Sequence, residues 1–135
     1  MQTTLSHVLF NVEAANIPFY REMLSFLGWK TLYDGDGMLG MGDTNSTSLW
    51  FGSQVKPVTN DYDGPGVNHL ALHTTTQDEV DSAAAYLTER GVPLLFETPR
   101  HRPEFSSEDS TYYQIMFETP DRILLEVVYT GPKAV

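Results

Sequence analysis

The octapeptide VNHLALHT, Val67 to Thr74, lies at the middle of a chain of 135 residues. It is a short apolar run interrupted by two histidines and followed by more threonines, which is typical of a buried β-strand that ends before a helix. A second octapeptide, LSHVLFNV from Leu5 to Val12, carries a histidine at the same third place. The two stretches therefore point to an internal repeat.

The segments that follow the two octapeptides support that repeat. An amphipathic helix is predicted after each, and each helix ends at a glycine: Gly28 lies 21 residues after His7, and Gly91 lies 22 residues after His69. The remainder of each half contains three short runs with the composition of strands. The predicted strands span approximately 29–34, 37–42 and 46–52 in the first half, and 92–97, 111–118 and 122–130 in the second.

A βαβββ unit that occurs twice predicts an α+β fold. Neither half-sheet could bury a face alone, so we expect the two modules to form a curled mixed sheet around a central cavity, with the helices outside. The predicted limits are residues 3–52 for module 1, 53–65 for a linker rich in Pro, Gly and Asp, and 66–130 for module 2, within a single domain of residues 1–135. Residues 98–110 are predicted to form a polar loop.

The composition excludes several classes of function. Eight Lys and Arg stand against 18 Asp and Glu, and a net charge of −10 disfavours both nucleic acid and anionic membranes as partners. The chain has no cysteine, so disulfides and thiolate chemistry are excluded and any metal must be bound by histidine and carboxylate. No signal-peptide pattern and no apolar run of membrane-spanning length is present, which predicts a cytoplasmic protein.

Strand geometry separates the two histidines of VNHLALHT. His69 and His73 share one face of the strand, but four residues of rise place them about 13 Å apart, too far for one metal ion to bind both comfortably. The repeat favours His69, since it corresponds to His7. Glu126 lies in the otherwise apolar run ILLEVV, where a lone ionised carboxylate would be costly. If His7, His69 and Glu126 face one cavity, they form a 2-His-1-carboxylate set for Fe(II) or a similar divalent ion.

Other interpretations of these three residues remain open. A single strand histidine is more typical of a hydrogen-bonded core residue than of a ligand. Glu126 could also form a structural salt bridge or face solvent at a strand edge.

Five stretches carry a family resemblance: SHVLFNV, FYREMLSFLGW, GVNHLALHT, LTERGVPL and IMFETPDRILLEVV. They resemble the vicinal oxygen chelate superfamily, which includes glyoxalase I, extradiol dioxygenases, fosfomycin resistance proteins and bleomycin resistance proteins. The last stretch is similar to the superfamily's F-x-D-P-x-G-x-x-x-E ending, with Arg122 at the place of the usual glycine. PRHRPEF and TYYQIMF resemble a subgroup of single-domain, glyoxalase-like members.

The resemblance implies a metal site. The superfamily's ligand positions fall on His7, Trp50, His69 and Glu126, and three of the four match. Glyoxalase I has a glutamate where this chain has Trp50, which argues against glyoxalase I chemistry in its usual form. The three remaining residues resemble the extradiol dioxygenase arrangement. The resemblance thus implies a dioxygenase, or a lyase or isomerase, with Fe(II) as the metal of a dioxygenase and Mn, Zn or Ni as alternatives, and it implies a homodimer.

Several further residues are candidates for contact with a small substrate whose neighbouring oxygens chelate the metal. His73 and Tyr113 are candidate acid/base groups, although His73 could be a buried histidine bonded to backbone, and only one of Tyr113 and its neighbour Tyr112 can face the cavity. Trp50 would be a stacking wall for a flat substrate. The predicted loop could be a lid with basic groups or a solvated surface loop. Its candidate substrate-binding residues are Arg100, His101, Arg102 and Phe105.

Two alternatives to an enzyme fit the same chain. A metal-free, ligand-sequestering protein of the bleomycin resistance type would suit the charge of −10 if its ligand were a cation. Such binders typically lack the metal ligands, whereas this chain keeps three. A protein that binds metal without turnover is the other alternative.

Overall fold

The structure is a computed structural model that describes residues 1–133. The chain divides into two compact units, the first comprising Met1–Thr59 and the second beginning at Asn60. Each unit contains one α-helix and one four-stranded mixed sheet. The predicted α+β class and the two βαβββ modules are therefore confirmed.

The first unit begins with strand β1 and ends with strand β4, and these two strands pair in parallel. Its helix α1 has Pro18 in the first turn, where a missing N–H removes no helical hydrogen bond, and it is followed by Gly28 at φ +94°. The sheet order is β1-β4-β3-β2. The elements are β1 His7–Asn11, a 3-10 turn Ala14–Asn16, α1 Ile17–Phe26, β2 Lys30–Gly35, β3 Met38–Gly42 and β4 Ser48–Gly52.

The second unit repeats this plan, with sheet order β5-β8-β7-β6 and a parallel β5–β8 pair. Helix α2 is capped by Thr76, whose hydroxyl accepts a hydrogen bond from the backbone N–H of Glu79. The elements are β5 Leu70–His73, α2 Gln77–Glu89, β6 Arg100–His101, a 3-10 turn Pro103–Phe105, β7 Ser110–Glu118 and β8 Leu124–Pro132.

The strand register of the two units shows which residues are equivalent. In the first unit, the residue two places after His7 pairs with Trp50. In the second unit, the residue two places after His69 pairs with Glu126. His7 and His69 therefore occupy equivalent places, as do Trp50 and Glu126, each within its own unit.

The predicted strand at 92–97 does not form. The Leu95 N–H donates to the carbonyl of Met116, but Phe96 and Glu97 both have left-handed φ values, +58° and +60°. Two left-handed residues in succession cannot continue a pleated strand, so the chain turns there and pairs with β7 only from Arg100 onward. The region predicted as a loop, 98–110, consequently holds β6 and a 3-10 turn.

The core of each unit lies between its helix and one face of its sheet. In the second unit, α2 buries Val80, Ala83, Ala84 and Leu87 against β7 and β8. The opposite face of that sheet presents the polar residues described below. None of the helices in residues 1–133 is long and apolar enough to cross a bilayer.

Candidate functional site

Glu126 is a buried carboxylate in the centre of β8, with 1% of its surface exposed. Its Oε1 accepts a hydrogen bond of 2.6 Å from the hydroxyl of Tyr112 and another from the side-chain amide of Gln114. Both donors come from β7, where Tyr112 and Gln114 alternate onto the face that Glu126 occupies on β8. These bonds offset much of the cost of removing the carboxylate from water, and they engage only one of its oxygens.

The other oxygen of Glu126 faces His69, whose Nε2 lies 3.4 Å from Oε2. His69 directly precedes β5, the strand that pairs with β8, and this position places its ring at the edge of the buried carboxylate. The His69 side chain is 39% exposed, whereas the carboxylate is almost wholly covered. The imidazole therefore has an open side toward solvent.

The contacts of Asn68 fix the tautomer of His69. The Asn68 side-chain nitrogen donates to the backbone carbonyl of Tyr62 at 2.9 Å, and its oxygen lies 2.7 Å from His69 Nδ1. Since that oxygen can only accept, Nδ1 is the nitrogen that carries the proton in the neutral ring. The lone pair of Nε2 then points toward Glu126 Oε2.

Two acceptor atoms at 3.4 Å repel each other unless a positive charge lies close to both. A proton on Nε2 would supply it, and so would a metal ion. The separation is shorter than two metal–ligand bonds of about 2.0–2.2 Å placed end to end, so a single divalent ion can bind both atoms. The hydrogen bonds from Asn68 and from the two β7 donors are the outer contacts that orient ligands in metalloproteins. His69 and Glu126 thus fit a metal site.

Within the second unit, residues 60–133 bring no third histidine or carboxylate into a group with these two. The remaining predicted ligand, His7, lies in the first unit. It is exposed at the start of β1, with Nδ1 3.1 Å from the hydroxyl of Ser6.

A cavity of about 420 Å³ opens beside His69 in the second unit. Its volume is within the range of small-molecule sites. Tyr62, Asp63, Asn68, His69, Phe96, Glu97, Arg100, Arg102, Met116 and Leu124 line it.

Of the four substrate-binding candidates in the segment 100–105, two line this cavity, Arg100 and Arg102. His101 projects from the other face of β6, where its ring lies 4.6 Å from that of Tyr113, centroid to centroid. Phe105 is exposed and packs against the ring of Tyr112 at 5.2 Å. Strand alternation explains why Arg100 lines the cavity and His101 does not, because neighbouring residues on β6 face opposite sides of the sheet.

The tyrosine beside Glu126 is Tyr112, whereas Tyr113 points toward helix α2. The Tyr113 hydroxyl donates to Asp81 at 2.5 Å, and burial together with this bond raises the pKa of Tyr113 to about 12. Burial, followed by the hydrogen bond to Glu126, also raises the pKa of Tyr112. The sequence predicted that only one of Tyr112 and Tyr113 could face the cavity. The phenol on the face that carries Glu126 is that of Tyr112, whereas Tyr113 was the one proposed.

His73 and Trp50 each make a side-chain hydrogen bond within their own unit. His73 is exposed at the end of β5, with Nε2 2.6 Å from the hydroxyl of Thr130, and it does not line the cavity. In the first unit, the indole N–H of Trp50 donates to Ser48 at 2.9 Å. Its ring lies so close to Gly40 that a Cβ there would be 2.5 Å from it.

Sequence reasoning missed three residues that hold the pair in place: Asn68, Tyr112 and Gln114. A signal for Gln114 was present, because it is a polar residue in the middle of the apolar run YYQIMF, just as Glu126 is in ILLEVV. Asn68 gave no comparable signal, since an asparagine before a strand is also common in turns.

Residues 4–127 match the Glyoxalase/Bleomycin resistance protein/Dioxygenase superfamily. The chain belongs to this superfamily. The uncharacterized protein YqjT of Bacillus subtilis is 38% identical over 63 residues, a match that spans 47% of this chain and 46% of that protein, about half of each.

Solved structures of the same fold include a provisionally assigned glyoxalase from Bacillus halodurans, with 28% identity and a TM-score of 0.81 over 95% of this chain and 96% of that one. The antibiotic-binding protein TnmS3 from Streptomyces sp. CB03234 has 22% identity and a TM-score of 0.64 over 96% and 98%. At that identity the likeness to TnmS3 shows the fold alone.

Proposed function

We propose that this superfamily member is a metal-dependent enzyme of the glyoxalase/extradiol dioxygenase type, which acts on a small substrate that chelates the metal through two neighbouring oxygens. The observation that carries the proposal is the pair of His69 Nε2 and Glu126 Oε2, each aimed at the other while the remaining atoms of both groups are engaged elsewhere. A partly exposed ion pair contributes only about 0–1 kcal/mol, less than the several kcal/mol that burial of a carboxylate costs. Stability alone is therefore a weak reason for Glu126.

Bound here, a divalent ion would act as a Lewis acid on the chelating oxygens of the substrate. The residues of this chain would bind the ion and orient its ligand side chains. His69 and Glu126 supply two ligand atoms, and Tyr112 and Gln114 hold Oε1 so that Oε2 is presented. Asn68 keeps the His69 ring in the tautomer that can bind a metal.

The third ligand in the proposal is His7, on the basis of the repeat: it holds in the first unit the register place that His69 holds in the second. Trp50 holds the place of Glu126 and supplies no ligand atom, which would leave positions open for the substrate. Fe(II) is the ion proposed for a dioxygenase, with Mn, Zn or Ni for a lyase or isomerase. His73 stays a candidate acid/base group, and a homodimer is proposed from the superfamily resemblance.

The test is the metal content of protein purified without added metal and again after anaerobic reconstitution with Fe(II), Mn(II), Zn(II) or Ni(II). We expect about one ion per chain in the wild type and little in His69→Ala or Glu126→Ala. His101→Ala is the matched control, because that histidine lies on the opposite face of the sheet, and it should retain the metal. A wild type that binds none of the four ions would contradict the proposal.

Oxygen dependence then separates the reaction types. Reconstituted protein is incubated with catechols with and without O₂. Turnover that requires O₂ supports the dioxygenase branch, and turnover without it supports a lyase or isomerase.

Trp50 favours a second candidate, a metal-free ligand-sequestering protein of the bleomycin resistance type. A carboxylate is absent at one of the two equivalent positions, and an aromatic ring is well suited to stacking on a bound ligand. Undiminished binding of a cationic ligand by EDTA-treated protein, with no metal uptake, would favour this candidate.

A further inference from the structure

The cavity of the second unit is lined by both apolar and charged residues. Phe96, Met116 and Leu124 are apolar, and Arg100 and Arg102 are the cationic members of the lining. Phe96 is 51% exposed although it is a large aromatic residue, and its backbone is left-handed, with φ +58°. A partly apolar ligand with a negative charge would match both kinds of lining residue.

The guanidinium of Arg102 is oriented by one hydrogen bond, but not all of its N–H donors are used. Its side chain is only 20% exposed, and its Nε donates to the side-chain oxygen of Gln114. The nearest carboxylate oxygen to its terminal nitrogens is that of Glu104 at 3.9 Å, which is too far for a hydrogen bond. The Gln114 contact thus fixes the plane of the guanidinium while its outer N–H groups remain available within the described chain.

Arg100 is in a similar state. Its terminal nitrogen lies 3.7 Å from Glu97, whose side chain is 90% exposed. An ion pair in such an exposed position contributes little. Two guanidinium groups with spare donors therefore face one cavity.

We propose that Arg100 and Arg102 form a binding site for the carboxylate of a monoanionic aryl acid, with Phe96 against its ring. Arginine matches the planar, two-oxygen geometry of a carboxylate. Asp63 and Glu97 also line the cavity, so a ligand with more than one negative charge would be repelled. This ligand is the substrate if the proposed function holds, and in that respect the inference rests on it.

Gln114 connects this carboxylate site to the candidate metal ligand. Its oxygen accepts from Arg102, and its nitrogen donates to Glu126. Arg102 Nε and Glu126 Oε1 are thus separated by one amide group with a hydrogen bond on each side, roughly 7 Å at most. An aromatic ring with a short arm spans such a distance, with its acid group at one end and its chelating oxygens at the other.

The experiment uses EDTA-treated full-length protein, so that its outcome does not depend on metal binding. Phenylacetate and phenylacetamide have nearly the same shape and differ in charge. By calorimetric titration we expect phenylacetate to bind at least about tenfold more tightly than the amide. Arg100→Gln and Arg102→Gln should each weaken phenylacetate binding by about tenfold and leave the amide unchanged.

Arg90→Gln is the control, since its guanidinium stacks on Tyr86 at 3.5 Å and is not part of the cavity wall. Circular dichroism checks that each variant is folded. If Arg102→Gln is unfolded, Arg100→Gln decides, because Arg100 pairs with Gln114 through the strand backbone and its guanidinium does not hold the Gln114 side chain. Equal affinity for acid and amide, no detectable binding of phenylacetate, or tighter binding of phenyl phosphate would overturn the inference.

Discussion

Glu126 and Trp50 occupy the same register position in their respective units, and each has neighbours suited to it. Beside Glu126, β7 provides the two hydrogen-bond donors Tyr112 and Gln114. Beside Trp50, β3 provides Gly40, whose missing side chain leaves room for the indole. Spacing in the sequence was enough to identify the equivalent positions. It could not say which tyrosine supports Glu126, because a shift of one residue in a strand exchanges its two faces.

The hydrogen bond from Tyr112 should matter for both metal affinity and stability. In Tyr112→Phe, Glu126 loses one of its two donors, and we expect metal affinity to fall by about tenfold or more. The free energy of unfolding should fall by roughly 1.5–3 kcal/mol, as for other hydrogen bonds to charged groups. Metal titration and urea denaturation measure the two effects. Tyr129→Phe is the control, since that phenol bonds to the carbonyl of Pro132, and equal metal affinity in both variants would contradict the proposed role.

Tyr113 should give the protein a stability that disappears at high pH. Its pKa is raised to about 12 by burial and by the bond to Asp81, above the value near 10 of an unfolded chain. The phenol therefore stabilises the fold below pH 10, and this contribution is lost as the pH rises from 10 through 12. In Tyr113→Phe, the pH titration followed by absorbance at 295 nm should lack the contribution of one phenol that ionises near pH 12. An unchanged titration curve would refute the assignment.

At the scale of elements, local signals predicted the helices and most strands. The capped start of α2 and the glycines after both helices are short-range features, and a sequence shows them directly. The predicted strand at 92–97 failed because an apolar run does not reveal its backbone angles. The turn that contains the left-handed residues Phe96 and Glu97 is closed by a local bond from the Thr98 hydroxyl to the carbonyl of Leu95, and a tertiary bond from the Met116 N–H to the Thr98 hydroxyl ties it to β7.

The pairing of Trp50 with Gly40 is testable as an element-level contact between β3 and β4. A Cβ at residue 40 would lie 2.5 Å from the indole ring, so Gly40→Ala should lower the free energy of unfolding by about 1–3 kcal/mol. Urea denaturation measures the loss. Gly64→Ala should be nearly neutral, because its Cβ would meet only ordinary contacts. In a Trp50→Ala background the Gly40→Ala penalty should vanish, and a penalty that persists would argue against the steric explanation.

At the scale of the whole molecule, the repeat carried most of the predictive information. It predicted two βαβββ modules, and the two sheets have the same strand order. The match to one superfamily covers residues 4–127 and so includes both modules. The repeat also selected His69, and the apolar run ILLEVV singled out Glu126; their side chains lie 3.4 Å apart. Among their supporting residues, Gln114 carried a sequence signal as a polar residue in an apolar run, whereas the roles of Asn68 and Tyr112 depend on tertiary geometry that no local pattern encodes.

The central claim is that His69 and Glu126 bind a metal ion and that His73, four residues further along, does not. Titration of metal-free protein with Mn(II), followed by electron paramagnetic resonance, tests this most directly. We predict that one ion binds per chain, that His69→Ala and Glu126→Ala each weaken binding by about 100-fold, and that His73→Ala leaves it unchanged. Wild-type affinity in His69→Ala and Glu126→Ala would contradict the claim.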